Sequence, residues 1–151
     1  MISVLVDGDA CPVKEEIFKV GLRHKVSIAV FANDYLRLPQ DPSIELVTVS
    51  DRFDAADDAL AERAGPRSVV VTNDILLADR CLKAGAMVLA ANGKPFTPDS
   101  IGGAIAMRAI MADLRADGSQ RGGPAPFTKK DRSQFLQTLD QMLVKLKRQP
   151  H

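Results

Sequence analysis

Short apolar runs alternate along the chain with segments whose apolar positions recur at helical spacing. The runs predict strands, and the intervening segments predict helices that begin near proline or acidic residues and end near glycine. Such alternation is typical of an α/β fold with three layers, in which helices cover both faces of a mostly parallel sheet of about five strands. The predicted strands are 2–6, 26–31, 44–49, 68–71 and 86–90; the predicted helices start near Pro12 and span 54–64, 76–84, 99–116 and 131–148.

The length of 151 residues suits one domain with one core, and we expect residues 1–151 to form it. Residues 117–130 have the glycine, proline and basic residues of an irregular loop. The C-terminal helix over 131–148 has an apolar face formed by Phe135, Leu139, Met142, Leu143 and Leu146. The loop either links this helix to a docked or swapped position or closes as a lid, so a homodimer is left open.

The composition excludes several classes of protein. The chain is 46% hydrophobic and 26% charged, which is ordinary for a globular protein, and no apolar run approaches the ~20 residues of a membrane span. We therefore expect a cytoplasmic protein with no membrane partner. Cys11 and Cys81 lie far apart and outside any CxxC pattern, which argues against a disulfide framework or a zinc knuckle. The nucleotide-binding motifs GxxxxGKS/T and GxGxxG are absent.

Charge is unevenly distributed along the chain. Residues 1–80 carry 14 acidic and 9 basic side chains, and residues 81–151 carry 5 and 11. A metal site beside a surface that binds a polyanion would have this distribution. Taken alone, however, the asymmetry is better explained by a solvated surface.

Aspartates follow three of the predicted strands. Asp7 and Asp9 follow the first, Asp54 and Asp57 begin the helix after the third, and Asp74 follows the fourth. Since ligands of open α/β sheets bind at the carboxyl ends of the strands, we expect these side chains to converge. Two carboxylates about 4 Å apart repel by roughly 4 kcal/mol at an effective dielectric of about 20, so such a cluster needs cations.

The chemistry of the cluster follows from its ligand type. Hard carboxylate oxygens favour Mg²⁺ or Mn²⁺, and such ions can hold the attacking and leaving oxygens of a phosphodiester. The sequence predicts metal ligands at Asp7, Asp9, Asp54, Asp57 and Asp74, with Asp7, Asp54 and Asp74 as the catalytic set. Helix capping is the competing explanation for Asp9, Asp54 and Asp74, but it explains Asp7 poorly because Asp7 ends a strand.

Basic residues of the C-terminal half are candidate contacts to substrate phosphates: Arg121, Lys129, Lys130 and Arg132. They surround Phe127, which could stack on a base or anchor the loop to the core. Arg108 interrupts the apolar stripe of a predicted helix. It could reach the carboxylates or a phosphate, or extend to solvent.

Five segments together resemble the YaiI/YqxD-type family of uncharacterised bacterial proteins: VDGDACPVK, DAADDALAERAG, VVVTNDILLAD, GAMVLAANGKPFT and GGPAPFTKKDRSQF. That family is grouped with PIN-like and NYN domains, which are metal-dependent ribonucleases, so the resemblance implies a PIN-like fold and RNA as the partner. Asp7 matches their first-strand aspartate and Asp54 the one that opens the central helix. Thr72, Asn73 and Asp74 match the turn of theirs in which small residues precede an aspartate, and the resemblance implies that Thr72 and Asn73 contact the substrate. Where a further acid often follows, this chain has Leu76, and the nearest acid is Asp79.

Two other functions stay open. A strand followed by DxD also resembles the start of haloacid-dehalogenase-type phosphatases, with Asp7 as nucleophile and Asp9 as acid/base. Asp74 and Asp79 would then resemble the late acidic pair of that class. Against it, that fold needs a lysine between the DxD and this pair, and Lys14, Lys19 and Lys25 all lie too early, in the first helix or the turn after it. Leu76 keeps open a non-catalytic module on a degenerate nuclease fold, which binds RNA or protein.

Overall fold

In the computed structural model the described residues are 1–9, 11–49, 55–116 and 127–149, without the side chains of residue 108 and residues 111–116. Within them one sheet has the strand order β3-β2-β1-β4-β5-β6. Its strands are β1 (Ser3–Asp7), β2 (Ser27–Ala32), β3 (Ile44–Thr48), β4 (Ser68–Val71), β5 (Met87–Leu89) and β6 (Pro95–Phe96). The first five pair in parallel, and β6 pairs antiparallel with β5.

Helices cover both faces of this sheet, which confirms the predicted three-layer α/β class. They are α1 (Lys14–His24), α2 (Ala55–Arg63), α3 (Ile75–Lys83), α4 (Pro98–Ala116) and α5 (Lys129–Arg148). The predicted bounds agree within about two residues for these helices and for β1 to β5. The prediction of about five strands missed β6, because two residues are too short to show an alternating pattern.

The alternation of side chains along the strands separates two clusters of buried apolar residues. Val4 and Val6 of β1 face α1 and α5, whereas Leu5 between them faces α2 and α3. This is the period of two that a strand imposes. Because both faces of β1 and β4 are covered, these strands read as continuous apolar runs in the sequence.

Helix α5 packs on α1 and is held at both of its ends. Its first turn has a capping box, in which the Thr128 hydroxyl accepts from Asp131 N and the Asp131 carboxylate accepts from Thr128 N. At its other end, Arg67 donates to the Leu146 carbonyl at 2.9 Å. The predicted apolar face is confirmed for Phe135, Leu139, Leu143 and Leu146, which are buried, and Met142 is partly buried.

The turn between β5 and β6 touches α5 directly. Gly93 has φ of +87°, and a Cβ at this residue would lie 2.7 Å from Gln134 C and 2.7 Å from Phe135 N. Only glycine satisfies both the left-handed backbone and the close approach. The turn therefore fixes how near α5 can lie to the sheet. None of the helices among the described residues is long and apolar enough to cross a membrane.

Candidate functional site

A cavity opens at the carboxyl ends of β1 and β4, which are neighbours in the centre of the sheet. The chain crosses to one side of the sheet after β1 and to the other side after β4, so the following loops diverge there, as in doubly wound folds. The cavity has a volume of about 250 Å³, and it is lined by Asp7, Asp9, Cys11, Pro12, Val71, Thr72, Asn73, Asp74 and Ala91. Sequence-predicted acids from two different strands therefore share one cavity.

Asp7 lies at the centre of this group of acids. Its pKa is raised from 3.8 to about 6, mainly by burial and in addition by the negative charges of Asp57, Asp74 and Asp9, while the hydrogen bond from Thr72 acts in the opposite direction. Because a carboxylate responds mainly to charges that lie close by, these contributions indicate that acids after β1, in the first turn of α2 and after β4 lie near Asp7. Half-burial at a strand end thus disfavours the charged form of Asp7.

Thr72 connects the two strands at the cavity. Its hydroxyl donates to Asp7 Oδ2 at 2.8 Å and accepts from Asp74 N at 3.0 Å, and the side chain is buried. The neighbouring Asn73 uses its Oδ1 to accept from Ala91 N at 3.0 Å. Both residues, which the resemblance assigns to substrate binding, therefore hold the cavity wall together by contacts within the protein.

Replacing Thr72 with valine is expected to raise the pKa of Asp7 above about 6. The substitution keeps the side-chain shape but removes the donor that stabilises the ionised carboxylate. Thr72→Ser keeps that donor and should leave the pKa near its wild-type value. Carboxyl-carbon NMR titration in metal-free buffer measures the difference, and an unchanged pKa in the valine variant would contradict the role given to the hydroxyl.

Asp74 both caps a helix and lies at the cavity, so the two roles considered for it from the sequence do not exclude each other. Its Oδ1 caps α3 by accepting from Leu76 N at 2.9 Å and from Leu77 N at 3.2 Å. The same residue lines the cavity and raises the pKa of Asp7. The N-terminus of α3 therefore fixes where the Asp74 carboxylate lies at the edge of the cavity.

Asp9 is not a helix cap. The N-cap position of α1 is Val13, with no hydrogen bond from a capping side chain, and Asp9 Oδ2 instead accepts from Asn33 N at 3.4 Å. Between the two aspartates, a Cβ on Gly8 would lie 2.6 Å from Val30 Cγ1 and 3.0 Å from Phe31 O. The close packing at Gly8 keeps the segment against β2, so that Asp9 stays at the cavity.

The third acidic segment is described only in part. Asp57 lies in the first turn of α2 and acts on the charge of Asp7, while the neighbouring Asp58 pairs with Arg80 at 3.0 Å. The predicted ligand Asp54 lies outside the described residues. In the remaining ranges, no group of three His, Cys, Asp or Glu side chains is arranged to hold a metal ion.

The predicted basic contacts divide into three kinds. Lys129 and Lys130 are exposed in the first turn of α5. Arg132 is engaged within the protein, since it donates to Pro12 O at 2.9 Å and to Glu16 Oε1 at 2.7 Å and lies 4.9 Å from the centroid of the Phe127 ring. Phe127 packs against the core beside α5. The side chain of Arg108 and all of Arg121 lie outside the described residues.

Sequence reasoning missed Lys14 as part of the site. Its ammonium group donates to Gly8 O at 3.1 Å, and its charge acts on the thiol of Cys11, whose pKa burial raises. Lys14 comes too early in the chain for the lysine of a haloacid-dehalogenase-type phosphatase. As the first residue of α1, however, it lies against the segment that carries Asp7 and Asp9. The signal was its position in the first turn of a helix that follows an aspartate pair.

Leu76 stands where PIN-like domains often have a further acid. It is 46% exposed, so this side chain lies at the surface. Asp79, the nearest acid along the chain, pairs with Lys83 at 2.9 Å. Asp79 is also absent from the residues whose charges act on Asp7.

Comparison with known proteins gives consistent matches. A family profile described as "Uncharacterized BCR, YaiI/YqxD family" matches residues 5–145. The UPF0178 protein of Sphingopyxis alaskensis is 64% identical over 146 residues, 96% of this chain and 95% of the relative. The UPF0178 protein of Bradyrhizobium diazoefficiens is 55% identical over 96% of this chain and 87% of the relative. That of Paramagnetospirillum magneticum is 51% identical over 98% of both chains. No solved structure matches the chain.

Proposed function

Because the chain belongs to the uncharacterised YaiI/YqxD family of bacterial proteins, we propose its function from the chemistry of the cavity. The proposal is metal-dependent hydrolysis of phosphodiesters, with RNA as the substrate class, by a ribonuclease of PIN-like type. One observation carries it. Asp7 sits half-buried in a cavity with its pKa raised to about 6, and three acids from separate segments contribute to that raised value.

Such an arrangement costs free energy unless a cation relieves the repulsion. Clusters of carboxylates with strongly shifted pKa values are found most often at functional sites. A capping or purely structural role accounts for Asp74, but it gives no reason for placing Asp7 among other carboxylates. The convergence therefore favours a site that binds a divalent cation.

The donor set fits Mg²⁺ or Mn²⁺. The acids contribute only hard oxygen ligands, and Mg²⁺ commonly keeps several waters and takes one or two carboxylates together with substrate phosphate oxygens. Asp7 and Asp74 would hold the ion, with Asp57, Asp9 or the undescribed Asp54 completing the site. Bound there, the ion would activate water and stabilise charge on the phosphate.

The residues of the chain position that chemistry. Thr72 fixes Asp7 through its Oδ2, and the α3 cap fixes Asp74 through its Oδ1. The ammonium group of Lys14 supplies positive charge at Gly8 O, between Asp7 and Asp9, and the exposed Lys129 and Lys130 supply it in the first turn of α5. That charge would favour approach of a phosphate backbone.

Asp74→Asn is expected to weaken Mn²⁺ binding by about tenfold or more while leaving stability almost unchanged. Asparagine is as good an N-cap as aspartate, so the α3 cap remains, whereas the carboxylate ligand is lost. Isothermal titration with Mn²⁺ measures the affinity, and thermal unfolding in metal-free buffer measures the cap. Wild-type affinity in the variant would make Asp74 a cap and nothing more.

The function itself is tested on an end-labelled single-stranded RNA. Cleavage should require Mn²⁺ or Mg²⁺ and stop with a chelator. A protein that binds Mn²⁺ without cleaving any phosphodiester would contradict the proposal and favour the non-catalytic alternative.

A phosphatase of haloacid-dehalogenase type is a second candidate because of Lys14. This lysine comes early in the chain for that class, but its Nζ lies 3.1 Å from Gly8 O, between Asp7 and Asp9. That class forms a phosphorylated aspartate, whereas a metal-dependent nuclease forms no covalent intermediate. Hydrolysis of a small phosphomonoester with a trapped phosphate on Asp7 would favour the phosphatase over the nuclease.

A further inference from the structure

The loop after β2 presents an aromatic side chain that the fold does not use. Tyr35 is 79% exposed, and it is the single tyrosine of a chain without tryptophan. Large aromatic side chains usually bury most of their surface, because each removes much apolar area from water. An aromatic ring left in solvent beside a cavity is therefore a candidate for contact with a ligand.

The backbone around Tyr35 is held in place. Leu36 and Leu38 pack against the apolar cluster beneath α1 and α5, and a Cβ on Gly8 would lie 3.2 Å from Leu36 Cδ1. Tyr35 and Arg37 alternate with these leucines and are both exposed. Tyr35 and Arg37 thus face outward together from an anchored segment.

The loop that carries this outward pair is joined to the segment of Asp7 and Asp9. Leu36, next to Tyr35, packs at Gly8, which separates Asp7 from Asp9. The loop is also joined to the cavity by the hydrogen bond from Asn33 N to Asp9 Oδ2, at 3.4 Å. The loop of Tyr35 therefore neighbours the segment that carries two acids of the cavity.

The pair also borders a concavity of its own. It has a volume of about 540 Å³ and is lined by Tyr35, Arg37, Leu38, Pro39 and Gln40, which is within the size range of clefts that take small organic groups. Within the described residues, Arg37 forms no hydrogen bond or ion pair. A phenol ring and a free guanidinium on one face are the side chains on which unpaired nucleobases stack and to which their phosphates bind.

We propose that Tyr35 and Arg37 form a base-stacking subsite, which holds an unpaired nucleobase beside the phosphodiester at Asp7. The inference rests on the proposed function and narrows its substrate to single-stranded nucleic acid. Bases of a duplex are already stacked on their neighbours and cannot occupy the tyrosine face without being flipped out.

Tyrosine fluorescence provides a direct test, because all tyrosine emission of this protein comes from Tyr35. The probe is a short single-stranded oligoribonucleotide, and the protein is the Asp7→Asn variant in metal-free buffer. Under these conditions the measurement reports binding alone and depends on neither a metal ion nor cleavage. Emission, corrected for absorbance by the strand, should be quenched to saturation. An abasic strand of equal length, which keeps the phosphates, should not quench, and a blunt duplex should quench much less. A deoxy strand of the same sequence then separates RNA from DNA.

Affinity measured by anisotropy of a labelled strand gives the second readout. Tyr35→Ala should weaken binding about 5- to 100-fold, the range found when a stacking side chain is removed. Tyr35→Phe should restore the affinity to within about twofold of wild type, because the ring is kept. Arg37→Ala should weaken binding more than Arg148→Ala, a matched control at the exposed end of α5.

The outcomes separate this inference from the function on which it rests. Equal quenching by the abasic strand, no quenching by any strand, or unchanged affinity in Tyr35→Ala would overturn the subsite, and would leave the exposed pair as a contact for a protein. If RNA is cleaved but Tyr35→Ala behaves as wild type, the nuclease proposal stands without the subsite. If Tyr35 is quenched by RNA that is never cleaved, the subsite stands and the nuclease proposal fails.

Discussion

Replacing Asp7 with asparagine is expected to reduce the proposed metal-dependent cleavage of phosphodiesters by about 100-fold or more, while making the fold more stable at neutral pH. The loss follows because Asp7 is the central carboxylate of the cavity, and removing one group that stabilises the transition state typically costs a factor of this size. The gain in stability follows because the variant no longer places a negative charge among Asp9, Asp57 and Asp74.

The sign of the pH dependence follows from the direction of the pKa change. The folded protein holds a proton on Asp7 up to a pKa of about 6, whereas the unfolded chain loses it near 3.8. The wild-type protein therefore loses stability as pH rises through this window, by at most about 3 kcal/mol. Since the carboxylate is partly exposed, solvent screening reduces this to about 1–2 kcal/mol.

Thermal unfolding at pH 4 and pH 8 measures this effect. Asp7→Asn should raise the unfolding temperature by about 2–8 °C at pH 8 and by almost nothing at pH 4. Asp99→Asn, at an exposed acid in the first turn of α4, is the matched control and should show no such pH dependence. A variant that unfolds more readily than wild type at pH 8 would assign Asp7 to the structure of the fold.

Gly93→Ala is expected to lower the free energy of unfolding by about 2–5 kcal/mol. The left-handed backbone at φ of +87° costs an alanine about 1–2 kcal/mol. Overpacking adds about 1–3 kcal/mol, because the new Cβ would lie 2.7 Å from backbone atoms of α5 that cannot rotate away. Urea denaturation measures the loss.

The controls for this substitution lie in α4. Gly102 and Gly103 are exposed helical glycines, and a Cβ on either would meet nothing within 4 Å. Alanine at these positions should stabilise the protein by about 0.5–1 kcal/mol, because the unfolded chain loses freedom. A loss in Gly93→Ala no larger than in these controls would show that the turn can move away from α5.

The layers of the fold could be predicted from the sequence because burial on two faces has a clear pattern. Val4, Leu5 and Val6 are all apolar. A strand covered on both faces needs such an uninterrupted run, whereas a strand with one solvated face alternates apolar and polar residues. Strand β6 could not be predicted, since Pro95–Phe96 becomes a strand only through pairing with β5. Local pattern thus predicts elements that span both clusters, and misses those that depend on a neighbour.

The cavity was predictable for a related reason. The carboxyl ends of parallel strands lie at the same edge of the sheet. Aspartates that follow two neighbouring central strands therefore lie close together, and Asp7 and Asp74 line one cavity. The segment after Asp7 was harder to predict, because Asp9 faces Asn33 rather than α1. Lys14 and Tyr35 could not be assigned from spacing, since their positions depend on how the loops pack at Gly8. Asp54 and Arg121 stay predictions.

The contact between α1 and α5 also bears on how fast the protein folds. The bonds that join them link residues far apart along the chain: 116 positions separate Arg132 from Glu16 and 123 separate Lys147 from His24. Forming such distant contacts requires closing a long loop of unfolded chain, and this loss of entropy precedes the favourable contact energy. Refolding should therefore proceed well below the speed of a small helical bundle, with the cluster beneath α5 completed late.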